Sequence, residues 1–191
     1  NGTTPLFSFV ISILWLRLSS NWIQFVGILI GIVGLIVFVG YESLEFTLLP
    51  IILCLIASFL YAFSSNFIFQ TKNIDASYLA TITLLLATFM VFPLIFFEEG
   101  IDLDHSVNVL GSIGLLGFLC TGLAYMGFVT LIKRTGPVRA STVVLIVPLT
   151  GMMWANIFLN ETITSTMLAG CLLILIGVGL VNFFKEEEAE S

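Results

Sequence analysis

Seven long apolar stretches, parted by short polar breaks, constrain this chain more than any other feature of it. A helix that crosses a hydrocarbon core about 30 Å thick needs about 20 mostly apolar residues. Stretches of that kind lie at 4–18, 21–40, 46–70, 75–97, 109–132, 137–159 and 163–184. Their apolar runs are continuous rather than alternating, which argues against a transmembrane β-barrel. Composition agrees, since 59% of the 191 residues are hydrophobic and 9% are charged, against about 25% charged in a soluble domain. A soluble enzyme and a disordered segment are excluded on that ground. A net charge of −6 argues against a nucleic-acid partner. The expected fold class is all-α and integral to a lipid bilayer, with seven transmembrane helices.

The separators at 19–21, 41–45, 71–75, 98–108, 133–137 and 160–162 are too short to hold a soluble domain. Consecutive helices are therefore antiparallel neighbours. With strict alternation, Arg17, Lys72, Lys133, Arg134, Arg139 and Lys185 all fall on one side. The positive-inside rule makes that side cytoplasmic, and the C-terminus with it. Glu42, Glu45, Glu98, Glu99, Asp102, Asp104, His105 and Glu161 fall on the other. The expected location is a bacterial-type inner (plasma) membrane.

An internal repeat adds architecture. Residues 5–40 align without a gap onto 148–183 at a constant offset of 143, with Pro5 on Pro148, Leu16 on Leu159, Gly27 on Gly170 and Gly34 on Gly177. The matching helix boundaries carry more weight than the identities. The two copies stand five helices apart, an odd number, so they run in opposite directions across the membrane. Inverted repeats of this kind are common among secondary transporters. If the unit is five helices, residues 1–40 are the end of a first copy, 46–184 a complete second copy, and 185–191 an acidic cytoplasmic tail. The intact protein then has ten helices, and this chain reads as one truncated at its N-terminus.

The residues also carry a family resemblance. The ordered set Cys120-Thr-Gly-Leu-Ala-Tyr125, Arg134-Thr-Gly-Pro-Val-Arg-Ala-Ser141, Val147-Pro-Leu149, Leu159-Asn-Glu161 and Gly170…Gly177 resembles the second repeat of the EamA family, within the drug/metabolite transporter superfamily. That resemblance implies a ten-helix carrier of two inverted five-helix repeats with both termini cytoplasmic. It further implies export of amino acids, other metabolites or drugs. One position departs from it: Glu161 has Leu18, not a second acid, as its repeat mate.

Candidate site residues are the polar groups inside the spans, because a polar side chain facing lipid is costly. Ser58, Ala62, Asn66 and Gln70 form one stripe at four-residue intervals, with Tyr61 and Ser65 beside it. Gly114, Gly117, Thr121, Ala124 and Tyr125 form another. Tyr61, Asn66, Thr121 and Tyr125 read either as lining for a substrate cavity or as structural bonds between helices. Pro148, near the middle of its span, removes a backbone donor and reads as a gate or as a static kink. Glu161 reads as a cap on the last helix or as a gate. Gly27, Gly31, Gly34, Gly114, Gly117, Gly170 and Gly177 read as close-packing positions between helices.

Several patterns are missing. There is no H-E-x-x-H, G-x-S-x-G, G-x-G-x-x-G or P-loop motif, so no catalytic residues, metal site or cofactor is assigned. The acidic group at 98–105 and the Glu186–Glu190 tail read as solvated. The expected function is a secondary transporter for small organic molecules, an exporter working by alternating access. The alternative is a non-transporting membrane assembly partner or a defective truncated paralogue. Oligomeric state is left open.

Overall fold

Some helix starts in this chain are set by side chains that take up backbone N–H groups otherwise left without a partner. The computed structural model describes residues 2–19, 21–40, 48–71, 73–97, 107–183 and 187–188. Asn21 Oδ1 accepts from the Ile23 N–H at 3.2 Å, and Gln24 Oε1 accepts from the Asn21 N–H at 3.1 Å. This reciprocal box opens helix α2 (Trp22–Val39), which stops at Gly40. Glycine tolerates the positive φ of +84 found there. Asp75 does the same work for α4 (Ala76–Val91), accepting from the N–H groups of Ser77 at 2.8 Å and Tyr78 at 3.4 Å.

The remaining helices are α1 (Thr4–Leu14), α3 (Leu48–Gln70), α5 (Val107–Leu115), α6 (Ala124–Thr135), α7 (Pro137–Ser141), α8 (Val143–Leu159) and α9 (Ser165–Phe183). A π-helical segment, Leu116–Leu123, joins α5 to α6 without a break. Gly136, at φ +90, turns the chain into α7, and α7 leads straight on into α8. Helix α4 tightens into a 3-10 turn at Phe92–Phe97, where Pro93 cannot donate to the preceding turn.

Of the seven expected spans, five are helical rods long and apolar enough to cross a membrane: Trp22–Val39, Leu48–Gln70, Val109–Thr135, Pro137–Leu159 and Ser165–Phe183. The other two, Thr4–Leu14 and Ala76–Val91, are apolar but shorter, at 11 and 16 residues. At 1.5 Å per residue the longer of them is about 24 Å, less than the hydrocarbon core. The first stretch, read as 4–18, closes at Leu14, and Arg17 then takes a positive φ of 52. Large apolar side chains such as Phe89, Phe158 and Leu172 point outward along the rods. A bilayer, not water, suits such a surface.

Two compact units make up the chain: Asn1–Gln70 with Thr135–Ser191, and Thr71–Arg134. In the first, α2 packs along α9 more extensively than any other pair of helices, and α1 packs on α3 and α7. Among the described residues its apolar core has two centres. One is built from Leu145, Leu149, Cys171, Ile174 and Val178, the other from Phe9, Ile28, Val138 and Val181. Leu18–Ser19 pairs antiparallel with Glu187–Glu188, so the backbone of part of the acidic tail is tied to the α1–α2 link. In the second unit, α4 lies against the π-helical segment.

Candidate functional site

A polar cluster, fully buried, sits where α1 crosses α3. Ser8, Ser12 and Asn66 each have no exposed surface. Ser12 Oγ donates to Asn66 Oδ1 at 2.7 Å. Asn66 Nδ2 donates to the Ala62 carbonyl at 2.8 Å, to Ser8 Oγ at 3.2 Å and to the Ser8 carbonyl at 3.4 Å. Both ends of the amide are thus engaged, and two elements are tied together. Tyr61, five residues earlier on α3, is 56% exposed, and its carbonyl accepts from Ser65 Oγ at 2.9 Å. The two α3 candidates therefore sit in different surroundings, Asn66 between helices and Tyr61 outside.

Helices α2 and α9 meet along their glycines. A Cβ on Gly27 would lie 2.8 Å from the Gly177 carbonyl oxygen, and one on Gly34 would lie 2.7 Å from the Ile174 nitrogen and 3.0 Å from the Gly170 oxygen. From the other side, a Cβ on Gly177 would lie 2.5 Å from the Gly27 oxygen, and one on Gly170 would lie 2.6 Å from Phe38 Cα. No side chain fits, and the backbones are in contact. A Cβ on Gly31 would lie 2.8 Å from Leu145 Cδ1, and Gly31 also meets α9, since a Cβ on Gly177 would lie 2.6 Å from the Gly31 nitrogen. Gly114 and Gly117 meet nothing within 4 Å among the described residues.

Pro148 lies half-buried within α8, which stays helical through it. Asn160, left-handed at φ 53, ends that helix. Glu161 follows in the turn and is held through its backbone, its N–H reaching the Ala155 carbonyl at 3.4 Å and its own carbonyl accepting from Asn156 Nδ2 at 2.7 Å. The cap of α9 falls to Thr164, whose Oγ1 accepts from the Met167 N–H at 3.3 Å. The acidic residues at 98–105 lie outside the described residues.

Thr121 and Tyr125 belong to the second unit. Thr121 is exposed on the π-helical segment and donates to the Leu116 carbonyl at 3.3 Å, five residues back, and Tyr125 is half-buried on α6. Near the end of α6, Lys133 Nζ donates to the carbonyl of Thr71 at 2.7 Å and to that of Ile74. This ties α6 to the turn before α4. Beside it, Asp75 is held below its ordinary carboxylate value, first by the backbone N–H groups of Ser77 and Tyr78 and lastly by the Lys133 charge. A feature absent from the sequence reading is the row Ser77, Thr81 and Thr88 on α4, which faces the π-helical segment. Its near-helical spacing was there to be seen.

Comparison with known proteins places these elements. Residues 48–183, from the start of α3 to the end of α9, match the model of the EamA-like transporter family. The chain belongs to that family. It is 26% identical over 93% of its length to an uncharacterized transporter of Archaeoglobus fulgidus, and 25% identical over 95% to the uncharacterized transporter YoaV of Bacillus subtilis. The uncharacterized transporter YvbV of Bacillus subtilis is 22% identical over 93% of the chain. The chain covers 63%, 64% and 59% of those three relatives. No solved structure matches it significantly. As an EamA-like chain with five membrane-length apolar helices among the described residues, it is a multi-pass membrane protein.

Proposed function

We propose that this EamA-like chain forms most of a secondary carrier that exports small organic molecules, amino acids or related compounds and drugs among them, by alternating access between two inverted repeats. The observation that carries the reading is the α2–α9 contact. Gly27 touches Gly177 and Gly34 touches Gly170, while the repeat offset of 143 turns Gly27 into Gly170 and Gly34 into Gly177. The offset therefore maps the contact onto itself with the helices exchanged. Antiparallel helices related in this way share a two-fold axis lying in the membrane plane, the symmetry of an inverted repeat. On this reading residues 1–40 close a first repeat, 46–184 form the second, and the acidic tail lies in the cytoplasm of a bacterial-type cell. Pro148 supplies a bendable point in α8, and Tyr61, Thr121 and Tyr125 supply polar surface to a pathway. Glu161 stands at the outer end, and Asn66 holds α1 to α3.

The test uses the protein encoded by the whole gene, in everted membrane vesicles. Vesicles carrying it should accumulate neutral or zwitterionic metabolites above vesicles without it. Single cysteines at Tyr61 and Thr121 should be labelled from either side of the membrane, in a ratio that substrate shifts. Labelling from one side alone, with no accumulation of any compound, would overturn the carrier in favour of a membrane assembly partner.

A further inference from the structure

Within the second unit a groove of about 270 Å³ runs between α4 and the π-helical segment. Phe118, Gly122 and Leu123 of the π segment form one wall, and Leu84, Leu85 and Met126 complete an apolar lining. π-Helical turns are rare and recur at functional sites. Here the segment also brings Gly122, which has no side chain to fill the space, to the groove.

The polar part of the lining is Ser77, Thr81 and Thr88, and the direction of their hydrogen bonds decides what they can bind. Thr81 Oγ1 donates its proton to the Ser77 carbonyl at 2.8 Å, and Thr88 Oγ1 donates to the Leu84 carbonyl at 2.9 Å. The hydroxyl hydrogens of Thr81 and Thr88 are therefore committed within the protein, and lone pairs are what these two oxygens still offer. An anion would find no donor at Thr81 or Thr88. A lipid acyl chain brings no polar hydrogen, and a packed helix has bonded its own backbone N–H groups.

We propose that this groove is a binding site for a small neutral molecule with a flat apolar body and at least one N–H or O–H donor. The inference rests on the carrier reading and adds a ligand chemistry and a place for it. Thr81 and Thr88 accept from the ligand, and Phe118 and Leu85 cover its body.

Indole and benzofuran test this, because they share a shape and differ in one N–H donor. With the full-length protein in lipid nanodiscs, indole should bind about tenfold more tightly than benzofuran, the difference expected from one well-made hydrogen bond. The double variant Thr81→Val with Thr88→Val should lower indole to the benzofuran level and leave benzofuran unchanged. Should that variant fail to fold, Leu85→Trp, which fills the groove, should abolish binding of both. Equal affinity of the two probes in the unaltered protein would overturn the proposal. So would a photo-crosslinker at Phe118 that captures only lipid or another helix of the same protein. Selective indole binding without any flux would uphold the site and count against the carrier.

Discussion

Asn66 shows how a single polar residue can decide a helix crossing where no water is available to compensate it. Four acceptor and donor contacts converge on its amide, from two serines of α1 and from its own preceding turn. Replacing it by leucine strands the Ser8 and Ser12 hydroxyls in a buried place. The expected loss is about 1–2 kcal/mol of unfolding free energy, read by denaturant titration in mixed micelles. Asn66 stood out in the sequence because its stripe keeps helical spacing. Its partners did not, because nothing local to Ser8 and Ser12 tells which helix they will meet. Asp75 behaves differently, as an exposed cap. Its value in the fold lies below the ordinary 3.8, so its contribution is complete above that pH and is lost as the pH falls through the lowered value. Asp75→Asn retains a capping oxygen without the charge. Thermal melts on acidification should therefore fall further for the unaltered protein than for this variant.

Among the elements, the α2–α9 seam makes the sharpest demand. Alanine at Gly27 or Gly177 puts a methyl group within 2.8 Å of backbone on the facing helix, where no flexible side chain can move away. Each should cost about 1–3 kcal/mol, the range for overpacked interiors. Gly127→Ala and Gly151→Ala, where nothing lies within 4 Å, should leave stability unchanged or raised. Melting the four variants side by side checks both halves of this expectation. The seam glycines were legible through the repeat, which gave two of them mates. Gly114 and Gly117 look the same in the sequence yet meet nothing within 4 Å among the described residues. Spacing of small residues reports that a close approach is allowed, not that a partner comes. The π-helical turn was illegible for a related reason, since hydrophobic periodicity over eight residues does not separate it from an α-helix. Helix α4 gives way to the 3-10 turn at Pro93, and α1 stops at Leu14 ahead of the left-handed Arg17; apolar runs alone passed over both.

At the scale of the molecule, the positive residues make a claim about direction that a fusion can read. A fluorescent protein joined after Ser191 should light up, and an alkaline phosphatase in the same place should stay inactive, because only the first matures in the cytoplasm. The reverse pattern would invert the orientation drawn from the basic residues. The glycine seam has a consequence of another kind. Gly27 and Gly34 of α2 face Gly177 and Gly170 of α9, and those are their own counterparts in the other half. A second copy of α2, laid antiparallel, would offer Gly34 to Gly27 and Gly27 to Gly34. Helix α2 is in this sense nearly a mirror for itself, and a free peptide of residues 21–40 is a ready-made competitor for the place of α9. Energy transfer between donor- and acceptor-labelled copies of that peptide in micelles would register the pairing, and Gly27→Leu would abolish it.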